Sequence, residues 1–184
     1  ESIAKTYAGS ITLGTGQFCT NPGLILGIKS QGLTNFVNIL AEEIVKFEPA
    51  CMLHPNIAGT YESNKSKMLL QHGLKGLAMY ENDVEANHAK QAVTTVEGTT
   101  FLNNPTLHHE VFGPFSLVVQ CASEQQLEDI MFALEGQLTG TLISDGHEIA
   151  NYSKVVSALQ NRVGRIIFNG VPTGVEVCPS MLHG

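Results

Sequence analysis

A single passage concentrates the residue types that could form and break a covalent bond. Gly14-Thr15-Gly16-Gln17-Phe18-Cys19-Thr20-Asn21-Pro22-Gly23 places a cysteine among glycines and just ahead of an apolar run, Leu24-Ile25-Leu26-Gly27-Ile28. The glycines permit tight turns and close backbone approach, and Pro22 fixes one turn angle. Backbone N–H groups left open in such a loop can stabilise a thiolate and then an oxyanion, so Cys19 is a candidate nucleophile. The plain alternative is a small thiol buried in a connecting loop, the commonest fate of a free cysteine. The spacing Gly14-x-Gly16 is not a dinucleotide loop, because Cys19 stands where the third glycine belongs and no clear strand precedes it. It is not a Walker loop either, since no Gly-Lys-Ser/Thr follows.

Two further passages carry polar groups at places where a ligand could meet them. His108-His109-Glu110-Val111-Phe112-Gly113-Pro114 puts a carboxylate beside a Gly-Pro turn at the entrance of a strand. Its plain alternative is a solvated loop carboxylate. Phe168-Asn169-Gly170-Val171-Pro172-Thr173-Gly174 follows a strand and has turn chemistry. Loops after parallel strands are where α/β domains tend to hold ligands, although this one also reads as a simple turn. No metal site is expected. His108 and His109 are adjacent and cannot face the same way in an extended segment, and Cys51-x-x-His54 alone is too little for zinc.

The elements that must position these residues alternate along the chain. Residues 1 to about 9 are helix-prone, and 24–28 have strand length. Leu33, Phe36, Val37, Leu40, Ile44 and Phe47 recur at helical spacing, and the helix should end at Pro49 or just before it. A helix is predicted from about Tyr61 to His72, closing at Gly73. Ala78–Tyr80, Ala92–Val96 and Phe115–Cys121 read as strands. Ser123-Glu124-Gln125-Gln126 then has the capping pattern of a helix with Leu127, Ile130, Met131 and Leu134 inward. Residues 139–144 form a strand, and Asp145 is a candidate cap. Residues 147–160 make a helix with Ile149, Tyr152, Val156 and Leu159 inward, and 163–168 are a last strand. Short links between strand and helix imply right-handed crossovers. The expected fold is a single α/β domain, a three-layer open, mainly parallel twisted sheet with helices on both faces.

Composition narrows the function classes. The formal net charge is -7, and Arg162 and Arg165 are the only arginines, so nucleic-acid binding is not expected. Apolar runs stop at strand length, and no membrane span or signal peptide is read. Four scattered cysteines without a CxxC suggest reduced thiols, and a cytoplasmic location is expected. The chain starts at Glu1 and stops just after Cys178-Pro179-Ser180, so it is expected to belong to a longer polypeptide.

Taken in order, the three passages resemble the aldehyde dehydrogenase superfamily across essentially the whole chain. That family has Gly-Gln-x-Cys around its nucleophile, here Gly16-Gln17-Phe18-Cys19. It has Glu-x-Phe-Gly-Pro about ninety residues later, here Glu110 to Pro114, and then a strand ending in Asn, here Ile166-Ile167-Phe168-Asn169. The wording Gly-Gln-Phe-Cys-Thr-Asn-Pro-Gly, with Cys-Pro-Ser-Met-Leu-His-Gly at the end, looks closest to the 2,5-dioxovalerate (α-ketoglutaric semialdehyde) dehydrogenase branch.

The resemblance implies a thiohemiacetal and then a thioester on Cys19, with hydride passing to NAD or NADP. Glu110 matches the carboxylate that holds the nicotinamide ribose, and Phe112 the ring packed near the nicotinamide. Asn169 and the loop 170–180, with Cys178, would line the substrate mouth. The resemblance also implies that the cofactor domain, the glutamate that activates water and the oxyanion-hole asparagine precede residue 1. An extension helping to build a homo-oligomer would follow Gly184, and the 184 residues alone are expected to show no steady turnover. Two alternatives stand beside this one. A cysteine hydrolase or acyltransferase would need a histidine such as His109 or His183 beside Cys19. A non-catalytic scaffold would use the cysteine loop only as a packed turn.

Overall fold

The computed structural model describes residues 1–144, 152–172, 174 and 178–181. Its first helix, α1 (Ser2–Thr12), buries Ala4, Tyr7, Ala8 and Ile11, the one-face spacing of an amphipathic helix. A 3-10 turn over Leu13–Gly16 leads through the cysteine loop to β1 (Leu24–Ile28). Helix α2 (Gln31–Ile44) begins at Ser30, whose hydroxyl accepts from the Leu33 N–H at 3.1 Å. It buries Val37, Leu40 and Ile44 and ends before the predicted stop at Pro49, leaving Phe47 exposed. The side chain of Gln91, itself buried, donates to the carbonyl oxygens of Ile44 and Phe47 and so finishes that helix end.

β2 (Ala50–Cys51) is followed by α3 (Pro55–Leu69), which starts about two turns earlier than predicted. Pro55 occupies the first helical position, where a missing N–H costs nothing, and His54 Nδ1 accepts from the Asn56 N–H. β3 (Lys75–Met79), β4 (His88–Ala89) and β5 (Ala92–Glu97) come next. The predicted strand over Ala78–Tyr80 thus lies a few residues earlier. Helix α4 (Gly98–Asn103) and a 3-10 turn over Pro105–His108 were not legible as elements and precede β6 (Phe115–Cys121).

Helix α5 (Glu124–Ala133) has the predicted cap, with the Ser123 hydroxyl accepting from the Gln126 N–H. Gln126 reaches back to Ala122 N–H and across to Thr99 on α4. β7 (Gln137–Leu142), α6 (Ser153–Gln160) and β8 (Val163–Phe168) complete the described elements. Asp145, Ile149 and the first part of the helix predicted over 147–160 lie outside the described residues. In α6 it is Val155 and Ala158 that are buried, with Tyr152 and Leu159 packed beside them, so Val156 is displaced from the predicted stripe.

The main sheet has the order β1-β6-β5-β3. β1, β6 and β5 are parallel, and β3 runs antiparallel on one edge. β7 and β8 form a separate parallel pair. Alternation along β6 divides the core. Leu117, Val119 and Cys121 face a cluster with Tyr61 of α3, Phe101 of α4 and Ile130 of α5. Val118 faces the other way, onto Ala4, Ala8 and Ile11 of α1 and Leu40 of α2. This is the expected three-layer α/β architecture with a mainly parallel open sheet.

Candidate active site

The register of two parallel strands brings the first two motifs together. β1 and β6 pair with Leu24 opposite Leu117, so the segments leading into both strands meet at the same end of the sheet. One of those segments carries Cys19 and the other Glu110 to Pro114. The site therefore lies at the amino-terminal ends of its strands, opposite to the usual placement in open α/β sheets.

The cysteine loop is a run of left-handed backbone. Gly14, Thr15 and Gly16 have φ of 54°, 59° and 65°. Thr15 takes that conformation without being glycine, and its side chain is buried. The turn is held by Gln17, whose N–H and side-chain amide both donate to the Gly14 carbonyl oxygen. Gln17 Oε1 accepts from the Leu53 N–H at 2.9 Å, tying the loop to the stretch after β2. A second turn closes with the Asn21 N–H donating to Phe18 O at 3.0 Å, and Cys19 sits exposed inside it.

Gly16 packs directly on the backbone of the second motif. A Cβ added to Gly16 would collide with the Gly113 carbonyl and lie 2.5 Å from Pro114 N. Asn21 Nδ2 donates to Gly113 O at 3.0 Å, and the Ser116 hydroxyl donates to Pro22 O. The Leu117 N–H donates to Gly23 O at 2.9 Å. Behind this joint stands Tyr61, 1% exposed, with its ring against Gly113. Its hydroxyl donates to Lys90 O at 2.7 Å, and the Lys65 ammonium lies 4.7 Å from the ring centroid. Tyr61, Asn21, Gln17 and Ser116 were not picked out from the sequence. Only the glycines of the two motifs signalled that backbones would approach here.

Glu110 is exposed, Val111 buried and Phe112 half-buried, so the first and third residues of that motif face outward. Phe112 lines a groove of about 230 Å³ with Asn56, Ile57 and Thr60 of α3. The adjacent histidines do diverge. His108 stacks on Phe101 with ring centroids 4.4 Å apart, and its Nε2 is 2.9 Å from Phe101 O. His109 is exposed, and its N–H donates to Thr106 O. His183 lies outside the described residues, as does part of the loop 170–180. Among the described residues no three His, Cys, Asp or Glu side chains group as metal ligands. No described helix is long and apolar enough to cross a membrane.

The third motif is placed by other bonds. Asn169 takes a left-handed φ of 51° at the end of β8, its N–H donates to Leu142 O, and its Oδ1 accepts from the Ser144 N–H. These bonds close the end of the β7–β8 pair and do not run to Cys19 or Glu110. Val171, just beyond, packs against the α1–α2 layer. Cys178 is exposed with Sγ 3.3 Å from the Ser180 hydroxyl, which lowers its thiol pKa from the ordinary value. Burial pushes Cys121 up to about 11.

No protein-family model matches the chain. Along its whole length it is 38% identical over 184 residues to alpha-ketoglutaric semialdehyde dehydrogenase 2 of Azospirillum brasilense, covering 35% of that protein. By sequence the whole chain is similar to about a third of an aldehyde dehydrogenase. It is 36% identical over 185 residues to alpha-ketoglutaric semialdehyde dehydrogenase of Acinetobacter baylyi, again covering all of this chain and 35% of the relative. The solved structure of an indole-3-acetaldehyde dehydrogenase complexed with NAD+ superposes with a TM-score of 0.74 over 93% of this chain and 35% of that one. At 15% identity that likeness establishes the aldehyde dehydrogenase fold alone. The chain thus spans about a third of the length of the curated relatives it matches.

Proposed function

We propose that this chain is the nucleophile-bearing domain of an NAD(P)-dependent aldehyde dehydrogenase that oxidises an aldehyde to a carboxylate through Cys19. The observation that carries the reading is the glycine-to-glycine packing of the Cys19 loop on the Glu110–Pro114 segment. It gives a thiol and a cofactor-facing carboxylate and ring one shared, rigid support.

The residues fit a nicotinamide nucleotide. Glu110 offers an exposed carboxylate to a ribose diol, and the Phe112 ring walls a groove able to take a flat ring. When bound, the nicotinamide supplies the hydride acceptor. The Cys19 sulfur adds to the aldehyde carbon, and the carbonyl oxygen takes the negative charge, to which the Cys19 backbone N–H donates. Loss of hydride from that carbon leaves a thioester on Cys19. Water then adds to the thioester carbonyl, and the sulfur leaves as thiolate, releasing the carboxylic acid. The group that activates this water, and most of the cofactor site, belong to segments outside these 184 residues.

The names of both curated relatives favour a semialdehyde acid as substrate. Its carboxylate would call for an arginine. Arg162 is taken, since its guanidinium donates to the carbonyl oxygens of Met131 and Phe132 at the end of α5. Arg165 is exposed on β8. The clamp is therefore assigned to a segment beyond this chain. A cytoplasmic, homo-oligomeric parent protein completes the proposal.

The test is steady-state turnover of the full-length protein with aliphatic semialdehyde acids and NAD or NADP. Wild type forms reduced cofactor, and Cys19→Ser lowers kcat by about a thousandfold or more, as loss of a covalent nucleophile does. Turnover that survives this change would remove Cys19 from the reaction.

A further inference from the structure

The joint between the two motifs holds more structure than simple contact requires. Gly113 is gripped from three directions. Gly16 lies against its carbonyl, and a Cβ on Gly113 would lie 2.6 Å from Cε2 of the Tyr61 ring, so the turn is sandwiched between loop and ring. From the third side Asn21 Nδ2 donates to Gly113 O, a bond joining residues 92 positions apart. The other end of that amide, Oδ1, is buried without a partner among the described residues. A buried acceptor without a donor is costly, so the side chain is kept in place despite a penalty, and the bond to Gly113 is what it gains.

We propose that Asn21 and Tyr61 are positioning residues that clamp the Gly113–Pro114 turn and so fix the separation between the Cys19 thiol and the cofactor-facing Phe112. This rests on the aldehyde dehydrogenase reading. Asn21 lies two residues after the nucleophile, and Gly113 directly follows Phe112, so the Asn21–Gly113 bond and the Tyr61 ring contact on Gly113 both act beside residues that face the reaction. Neither Asn21 nor Tyr61 has to touch substrate. Hydride transfer depends steeply on the distance and alignment of its two carbons, and a misplacement of about 1 Å can cost about a hundredfold. Acylation of the thiol by an activated ester needs only Cys19 and its immediate N–H donors. A clamp that sets separation therefore acts on the first step and spares the second.

The experiment compares both steps in the full-length protein. Single-turnover formation of reduced cofactor is measured beside the p-nitrophenol burst from p-nitrophenyl acetate, with the acylated peptide identified by mass spectrometry. Asn21→Ala and Tyr61→Leu are expected to slow hydride transfer by about 10- to 100-fold while the burst rate stays within about threefold of wild type. Tyr61→Phe, which keeps the ring on Gly113, is expected to recover most of what Tyr61→Leu loses. If both rates fall together, or neither falls, the clamp is only a packing feature and the proposal is overturned. If Tyr61→Leu does not fold, Asn21→Ala decides the matter alone. A wild type that forms no reduced cofactor with any aldehyde fails the underlying reading and takes the clamp with it. An active wild type with unaffected variants removes the clamp alone.

Discussion

Cys121 and Cys178 are shifted in opposite directions by their surroundings. Cys121 is fully buried on β6, and desolvation holds its thiol protonated far above neutral pH. Cys178 is exposed, and the Ser180 hydroxyl beside it stabilises the thiolate. With a limiting alkylating reagent at neutral pH, peptide mass spectrometry should find Cys121 unmodified after Cys178 has fully reacted. Ser180→Ala should slow Cys178 by a few-fold and leave the other thiols unchanged.

Burial also raises the phenols of Tyr7 and Tyr61 above 10.0. Both are neutral in folded and unfolded chains below that value, so their contribution to stability is complete there. Above about pH 10 the unfolded chain loses these protons first, and stability falls as pH climbs toward the folded values. Urea midpoints at about pH 8 and about pH 11 should therefore differ, and less so in Tyr61→Phe. At this scale Cys19, Glu110 and Phe112 could be singled out as candidates because their motifs stand in a fixed order. Tyr61 and Asn21 were not, because a helix stripe and a loop amide carry no sign of a partner 52 or 92 positions away.

Between elements, the decisive feature is the register of β1 on β6. It makes two loops distant in sequence arrive together, and two glycines let them touch. Gly16→Ala adds a Cβ where the Gly113–Pro114 backbone already lies, at a φ of +65°. Backbone strain and overpacking together should cost about 2–4 kcal/mol in chemical denaturation. Gly23→Ala, with nothing within 4 Å of its added Cβ, should cost under about 1 kcal/mol and serves as the control.

The strands of the sheet were readable from apolar runs, α2 from periodicity, and α5 from periodicity and its serine cap. Helix α4 escaped because Gly98-Thr99-Thr100 is poor helix sequence. It is held from outside by Phe101 in the core and by the Gln126 bond to Thr99. The early start of α3 was hidden because its first two turns expose Asn56, Gly59 and Thr60 and show no stripe, although Pro55 marked the spot.

On the scale of the molecule, the chain supplies an aldehyde dehydrogenase fold and spans about a third of its curated relatives. β1 and β3 form the edges of the main sheet, and Phe18 and Leu53 expose apolar surface from the cysteine loop and from the stretch that Gln17 ties to it. The net charge of -7 and the commitment of Arg162 to the end of α5 leave little here to draw an anionic substrate. In the proposed reading, substrate choice and cofactor retention fall to segments beyond these residues and the covalent step to Cys19. The most direct test is to quench the full-length protein during turnover with aldehyde and oxidised cofactor and locate the acyl group by peptide mass spectrometry. The acyl mass is expected on the peptide containing Cys19. An acyl group on Cys178 or Cys51, or turnover with no acylated cysteine, would contradict it.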